Sequence, residues 1–344
     1  MENNNNEIVR GKQKLLFDEI GRPYVYICEG YEVRCQRGEI PEEYKKKAER
    51  ELRETPENVK AGVEKLRALL KADQELFTPY ENDDYLIKFL RRTKFYPESA
   101  YQLIRRYYKI KQKYPKYCAN LTGSNTRIVG EQGITQTNPR LTKHGERIFQ
   151  IHFANWDPCK VSIYDIFRNI LMVVEPTMLE PMSQVNGFIV MIDVKNLTMQ
   201  QILQFTPSFA MMLLEFLQEC LPLRLKGVHV VNNSGIFPLL YKIFKPFLGE
   251  KLRNRIFFHG SNFEKLIEAV GAENLRPRYG GTMPCDVIDP MLQAELYVVG
   301  EDEFEVANSF GFVEDIKNVP KIVEVAHGKF ILEKRLSKDL IVKN

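Results

Sequence analysis

The chain has no apolar run of the ~18 residues that a bilayer span requires. Ile236–Leu248 comes closest, and Lys242, Lys245 and Pro246 interrupt it. The opening MENNNNEIVRGKQK lacks the apolar core of a secretory signal and has no Gly at position 2 for myristoylation, and the ending IVKN is not a prenylation box. A cytoplasmic protein is therefore expected. The six cysteines (Cys28, Cys35, Cys118, Cys159, Cys220, Cys285) include no close pair, so no zinc knuckle is expected and reduced thiols are the default. The five histidines (His144, His152, His229, His259, His327) stand at no ligand spacing to one another or to a Cys or Asp. Neither a metal nor another cofactor is expected. A P-loop, a G-x-S-x-G elbow and a G-x-G-x-x-G turn are all missing. A net charge of +4 is too mild to imply a nucleic-acid partner.

What is present is the composition of a globular protein, 44% hydrophobic and 27% charged over 344 residues, enough for one large domain or two modest ones. The charge is unevenly placed. IFPLLYKIFKPFLGEKLRNR (236–255) is apolar in its first half. Its second half is basic, and across the segment Lys242, Lys245, Lys251, Arg253 and Arg255 stand against Glu250 alone, so this one segment holds the whole net charge. One reading is a buried helix with a solvated basic end. The other is a surface that meets an anionic membrane while passing something apolar.

Residues 1–42 read as irregular, except that GRPYVYICEGYEVRC suits a hairpin turning near Glu29-Gly30. From Pro41 to about Pro115 the pattern is helical. It comprises a charged EEYKKKAERELRE, a stripe of Val59, Val63, Leu66, Leu69 and Leu70, a short DDYLIKFLRRTKF, and a helix opened by Pro97. Residues 116–146 read as loop. Strand candidates then follow at 147–153, 187–193, 227–233 and 255–259, with helix candidates Val161–Leu179, Thr206–Cys220, Ile236–Leu248 and Asn262–Val270 between them. Alternation of this kind predicts a mainly parallel sheet with right-handed crossovers. Pro176 should kink or end its helix. In the tail, KIVEVAHGKFILEK suits a hairpin near His327-Gly328.

Two motifs need weighing. Cys28 to Arg34 has the C-x5-R spacing of a phosphatase loop, but that chemistry needs a cradle of backbone N–H groups at a helix N-terminus, and CEGYEVR offers one Gly between β-prone flanks. A chance match is the better reading. SFAMMLLEFLQECL, after Thr206-Pro207, is apolar almost all round. Such a helix is either deep core or packs on the sheet with one side while lining a cavity with the other.

Several ordered stretches resemble the CRAL-TRIO lipid-transfer family, in the branch of alpha-tocopherol transfer protein and cellular retinaldehyde-binding protein. They are DDYLIKFLRRTKF (83–95), NWDP (155–158), YDIFR (164–168), NGFIVMID (186–193), FTPSFA (205–210), KGVHVVNN (226–233), KPFLGEKLRNRIFFHG (245–260) and YGGT (279–282). The resemblance covers about 50–283. It implies an α/β fold, a CRAL-TRIO lipid-binding domain with a mainly parallel sheet, flanking helices and a lid helix, preceded by a small all-helical module. The implied division is an irregular extension at 1–45, the helical module at 46–118, the lipid-binding domain at 119–283 and a C-terminal extension without assigned role at 284–344. By the same resemblance, cavity-lining positions fall on Phe167, Ile170, Val174, Phe188, Phe205, Leu213, Phe216, Leu217 and Leu223. The lid positions are Ile236, Phe237, Leu240, Phe244 and Phe247. A phosphoinositide-binding cluster falls on Arg224, Lys251 and Arg255, while a fourth arginine of the family's cluster falls on Thr93, beside Arg92 and Lys94.

The expected function is therefore not enzymatic. The protein would bind a single hydrophobic lipid, such as a retinoid or tocopherol, and carry it to or from membranes containing phosphatidylinositol phosphates, with which it would associate reversibly and peripherally. The alternative is a lipid-sensing regulatory module without transfer.

Overall fold

The computed structural model describes residues 8–233, 235–284, 288–313, 322–326 and 329–332. Its first element is a sheet. Strands β1 (Ile8–Arg10), β2 (Gln13–Phe17), β3 (Pro23–Cys28) and β4 (Tyr31–Val33) pair antiparallel in sequence order, and Gly30, at φ +74, turns the last hairpin. Period-two alternation puts Leu15, Val25, Ile27 and Val33 on a face buried against Met283, Ile288 and Leu292. The expectation of an irregular 1–45 is thereby corrected. Strands β1 and β2 are short, and the residues that cover them come from the other end of the chain, where no local pattern records them.

The helical module follows. Helix α1 (Glu42–Leu52) buries only Ala48 and Leu52. Helix α2 (Pro56–Ala72) starts on Thr55, whose side chain accepts the Asn58 N–H, and buries Val63, Leu66 and Leu70 of the expected stripe. After the two-residue β5 (Leu76–Phe77), Asn82 caps α3 (Asp83–Arg92) by accepting the Tyr85 N–H at 2.8 Å, and Asp83 and Asp84 suit the positive end of the helix dipole. Proline opens α4 (Pro97–Lys113) and the single turn α5 (Pro115–Cys118).

Residues 116–146, expected as loop, hold helix α6 (Gly123–Glu131) and strand β6 (Thr135–Thr137). The helix was hidden because it carries glycine where a helix former would announce it. A Cβ at Gly123 would stand 2.2 Å from the Tyr297 carbonyl oxygen of a helix in the C-terminal segment, so the two helices meet backbone to backbone.

The alternating region folds as expected. Strand β7 (Arg147–His152) leads to α7 (Ile163–Thr177), which opens on a Ser162–Asp165 capping box and ends one residue after Pro176. The single-turn helix α8 (Pro181–Asn186), β8 (Phe188–Asp193), the single turn α9 (Met199–Ile202) and α10 (Pro207–Glu215) come next. A π-helical turn, Phe216–Cys220, extends α10. Then come β9 (Leu225–Val231), α11 (Phe237–Phe244), α12 (Glu250–Arg253), β10 (Ile256–Gly260) and α13 (Glu264–Val270). The sheet order is β10-β9-β8-β7-β6, parallel throughout except for β6 at the edge. One face, through Ile148, Ile189, Met191 and Val231, packs on Leu266, Val270, Leu275 and Tyr279. The other face borders a cavity.

The C-terminal segment is built into the molecule. Helix α14 (Pro290–Val299) packs on α6 and the N-terminal sheet, and α15 (Glu301–Asn308) buries Phe304. Strand β11 (Gly311–Phe312) pairs antiparallel with β5. Strands β12 (Ile322–Ala326) and β13 (Lys329–Leu332) form the expected hairpin, whose turn residues lie outside those described.

Candidate functional site

Alternation along four parallel strands turns Phe149 and Ile151, Phe188, Val190 and Ile192, Val228 and Val230, and Ile256 and Phe258 toward one side. Helices α7, α10 and α11 cover that side without filling it, and a cavity of about 230 Å³ remains. The helical period explains the α7 wall: Ile163, Ile166, Ile170, Val173 and Val174 form one stripe. Helix α10 contributes Phe209, Leu213 and Leu214, and Leu217 follows from the π-helical turn. Among the described residues no charged side chain lines the space.

Of the positions expected to line the cavity, Ile170, Val174, Phe188, Phe205, Leu213 and Leu217 do so. Phe167, Phe216 and Leu223 are buried but not among the lining residues. Phe167 and Phe216 stack edge-to-face at 5.7 Å and pack within the core instead. Of the lid positions, Phe237, Leu240 and Phe244 reach the cavity, and the Phe244 ring meets Phe205 at 5.7 Å. Ile236 and Phe247 flank the helix, half-buried, outside the lining set.

The lid's downstream end is fastened. The Gln218 side chain donates through Nε2 to the Phe247 carbonyl at 3.3 Å and accepts the Gly249 N–H at 2.9 Å. Arg253 donates to the Leu248 carbonyl at 3.0 Å. The upstream end turns at Gly235, whose φ of +66 and open surroundings place no neighbour against it. Gln218 went unnoticed in the sequence, where its only signal was an amide in an otherwise greasy helix.

The basic residues gather beside this end of the cavity. Leu225 and Leu252 line the space, so Arg224, Lys226, Lys251 and Arg253 are chain neighbours of lining residues. Burial, and then Arg255, Arg92, Lys94 and Arg224, hold the Lys251 ammonium below its usual range. Burial followed by Arg224 does the same to Arg92, with Glu219 opposing and Arg255 adding to the effect. Arg92 and Lys94 thus stand where the expected fourth cation fell on Thr93, whose hydroxyl donates to the Phe89 carbonyl at 3.0 Å. Arg224 donates to the Val185 carbonyl and meets Glu51 at 3.4 Å, and Arg255 donates to the Leu225 carbonyl. The Arg92 Nε is buried without a partner among the described residues. Cations this close together raise the local positive potential, with Glu51, Glu146 and Glu219 opposing it.

Other motifs resolve differently. Cys28 ends β3 and Arg34 follows β4, so they sit on a hairpin rather than on a loop feeding a helix. Arg34 pairs with Glu32 at 2.9 Å and lies 4.0 Å from the Tyr24 ring centre. Sequence spacing missed one histidine pair: His229 Nδ1 and His259 Nε2 lie 3.0 Å apart on β9 and β10. Among the described residues no three metal-ligating side chains gather, and no helix is long and apolar enough to cross a membrane.

A family model of the CRAL/TRIO domain matches residues 131–281. Clavesin-1 of Xenopus laevis is 32% identical over 279 residues, covering 80% of this chain and 83% of that protein. Clavesin-2 of Homo sapiens is 32% identical over 253 residues, 72% of this chain and 76% of the relative. The solved structure of Sfh5 overlays loosely, at a TM-score of 0.43 and 13% identity, covering 78% of this chain and 99% of that one. The two clavesin alignments run well beyond the domain match, and kinship at that length and identity leaves one conclusion: the chain belongs to the CRAL/TRIO family, whose members bind and transfer lipids.

Proposed function

We propose that the protein holds one hydrophobic lipid in the cavity behind α11 and exchanges it with phosphoinositide-containing membranes, without enzymatic chemistry. The observation that carries this reading is the adjacency of an uncharged apolar chamber and a cation crowd at one end of the same lid. Each buried CH₂ is worth about 0.8 kcal/mol, so releasing a fifteen-carbon chain into water would cost on the order of 12 kcal/mol. Release into a bilayer exchanges one apolar surrounding for another and is close to neutral. The protein's task is then to open only at a membrane.

The cations supply that condition. Each Lys or Arg near an anionic surface contributes about 1 kcal/mol, so Arg92, Lys94, Arg224, Lys251 and Arg255 together give docking that is firm yet reversible. Leu239 is 49% exposed on the outer side of α11, available to the bilayer interface. A phosphoinositide headgroup bound by charge-assisted hydrogen bonds would favour the state with the lid raised. The protein is thus read as cytoplasmic and peripherally membrane-bound.

The test is a double substitution, Lys251→Glu with Arg255→Glu. Folding and lipid content should survive, while co-sedimentation with phosphatidylinositol bisphosphate liposomes should fall severalfold. Unchanged sedimentation would refute the cluster's role. Lipid content in the native protein without movement between vesicles would favour the sensing module.

A further inference from the structure

The residues lining the cavity are apolar except for Thr135, Gln136, Gln150, Trp156 and Tyr241. In the β6–β7 register Thr135 opposes Ile151 and Gln136 opposes Gln150. Ile151 faces the cavity, so Thr135 does as well, and the two glutamines belong to the sheet's other side. There Gln136 donates to the Ile288 carbonyl at 3.2 Å and Gln150 to Asn138 at 2.8 Å. Trp156 donates to the Val161 carbonyl at 2.8 Å, and Tyr241 sits half-buried on the lid.

The Thr135 hydroxyl gives its proton to Asn169 Oδ1. Asn169 is 1% exposed, one helical step beside the α7 stripe, and its Nδ2 is buried with no acceptor among the described residues. An unpaired buried amide is costly, and native proteins leave few of them. Thr135 Oγ1 keeps lone pairs, and Asn169 keeps N–H protons. Thr135 lines the cavity, and Asn169 stands behind it, outside the lining set, holding the threonine hydroxyl in place.

Strand β6 is the sheet edge opposite β10, and Phe258 on β10 meets Tyr241 of the lid at 5.2 Å. Five strands separate the two ends by about 19 Å. An elongated molecule lying across the strands would put one end at Thr135 and the other under α11. Among the described residues the lining holds no cation, so a carboxylate at the deep end would be buried unpaired, at great cost.

We propose that the cargo is an uncharged lipid with a single hydroxyl or carbonyl group, and that Thr135, positioned by Asn169, receives that group at the β6 end. This rests on the cavity being the cargo site. The test uses the lone tryptophan, Trp156, which lines the cavity and reports occupancy by its fluorescence. Hexadecan-1-ol, hexadecane and palmitate are presented separately in phosphatidylcholine vesicles to the full chain. The preference for the alcohol over the alkane should fall about tenfold in Thr135→Val and in Asn169→Leu, the worth of one hydrogen bond. It should persist in Thr135→Ser, and palmitate should gain no preference. An alkane bound as well as the alcohol by the wild type, an undiminished preference in both variants, or tighter binding of palmitate would overturn the assignment while leaving the carrier reading intact. Binding of none of the three would overturn the carrier reading, and this assignment with it.

Discussion

Arg147 and Glu180 form an ion pair in which the side chains are 1% and 3% exposed. Ser183 donates to Glu180 at 2.5 Å, and the Gln36 N–H adds a bond at 3.0 Å. Removing one partner of such a pair leaves the other charged and dry, at about 3–5 kcal/mol. Glu180→Ala should lose about that much stability in a urea titration, whereas replacing both residues with apolar ones of similar volume should lose less. His152 is the other telling residue. Burial, then Arg276 and Arg278, push its pKa down to about 3. The folded state therefore holds the ring neutral while the unfolded chain titrates near 6.5. Its stabilising effect is complete above the unfolded value and is lost as pH falls from about 6.5 toward 3. At pH 5 the loss is on the order of 2 kcal/mol. His152→Gln should flatten that part of a stability-against-pH curve measured by denaturation. Neither residue's role was legible beforehand: Arg147 is one of 49 cations in the sequence, and only the folded sheet shows that it is enclosed.

Among the elements, the lid carries the next prediction. A cavity of about 230 Å³ lies below the roughly 300–1,000 Å³ usual for ligand sites, so on the proposed carrier reading loading requires α11 to move outward. Gln218 holds the downstream hinge through two bonds. Gln218→Ala should speed lipid transfer between vesicles severalfold and leave the melting temperature within a few degrees of the parent. The strands and the α2 stripe were readable because their periods are local. The cavity walls were only partly so. Phe167 and Ile170 are equally greasy, and which of them meets empty space depends on how α7 rotates against α10, a tertiary fact. Helix α6 was unreadable for the same reason, since its glycines answer to α14 rather than to their own segment.

On the scale of the molecule, the terminal segments act together. Arg10 pairs with Asp289 at 3.0 Å, the Tyr31 hydroxyl donates to the Glu273 carbonyl at 3.1 Å, and Arg37 pairs with Glu303. The Val313 N–H reaches the Glu75 carbonyl at 2.8 Å, tying the tail to the helical module. Deleting 284–344 would uncover the Leu15–Val33 sheet and the α6 glycines. It would also remove Ile288, Leu292, Tyr297 and Phe304 from the core. At about 1.5–3 kcal/mol for each buried side chain, the loss approaches the whole stability of a typical domain, about 5–15 kcal/mol. Such a truncation should yield insoluble protein or show no cooperative melting in a thermal scan. The cation crowd has a consequence at the same scale. Like charges held close on a half-dry surface push the fold apart, and dissolved ions shield them from one another. Sodium chloride should therefore toughen this protein against heat while loosening its grip on an anionic bilayer, one reagent moving two properties in opposite directions.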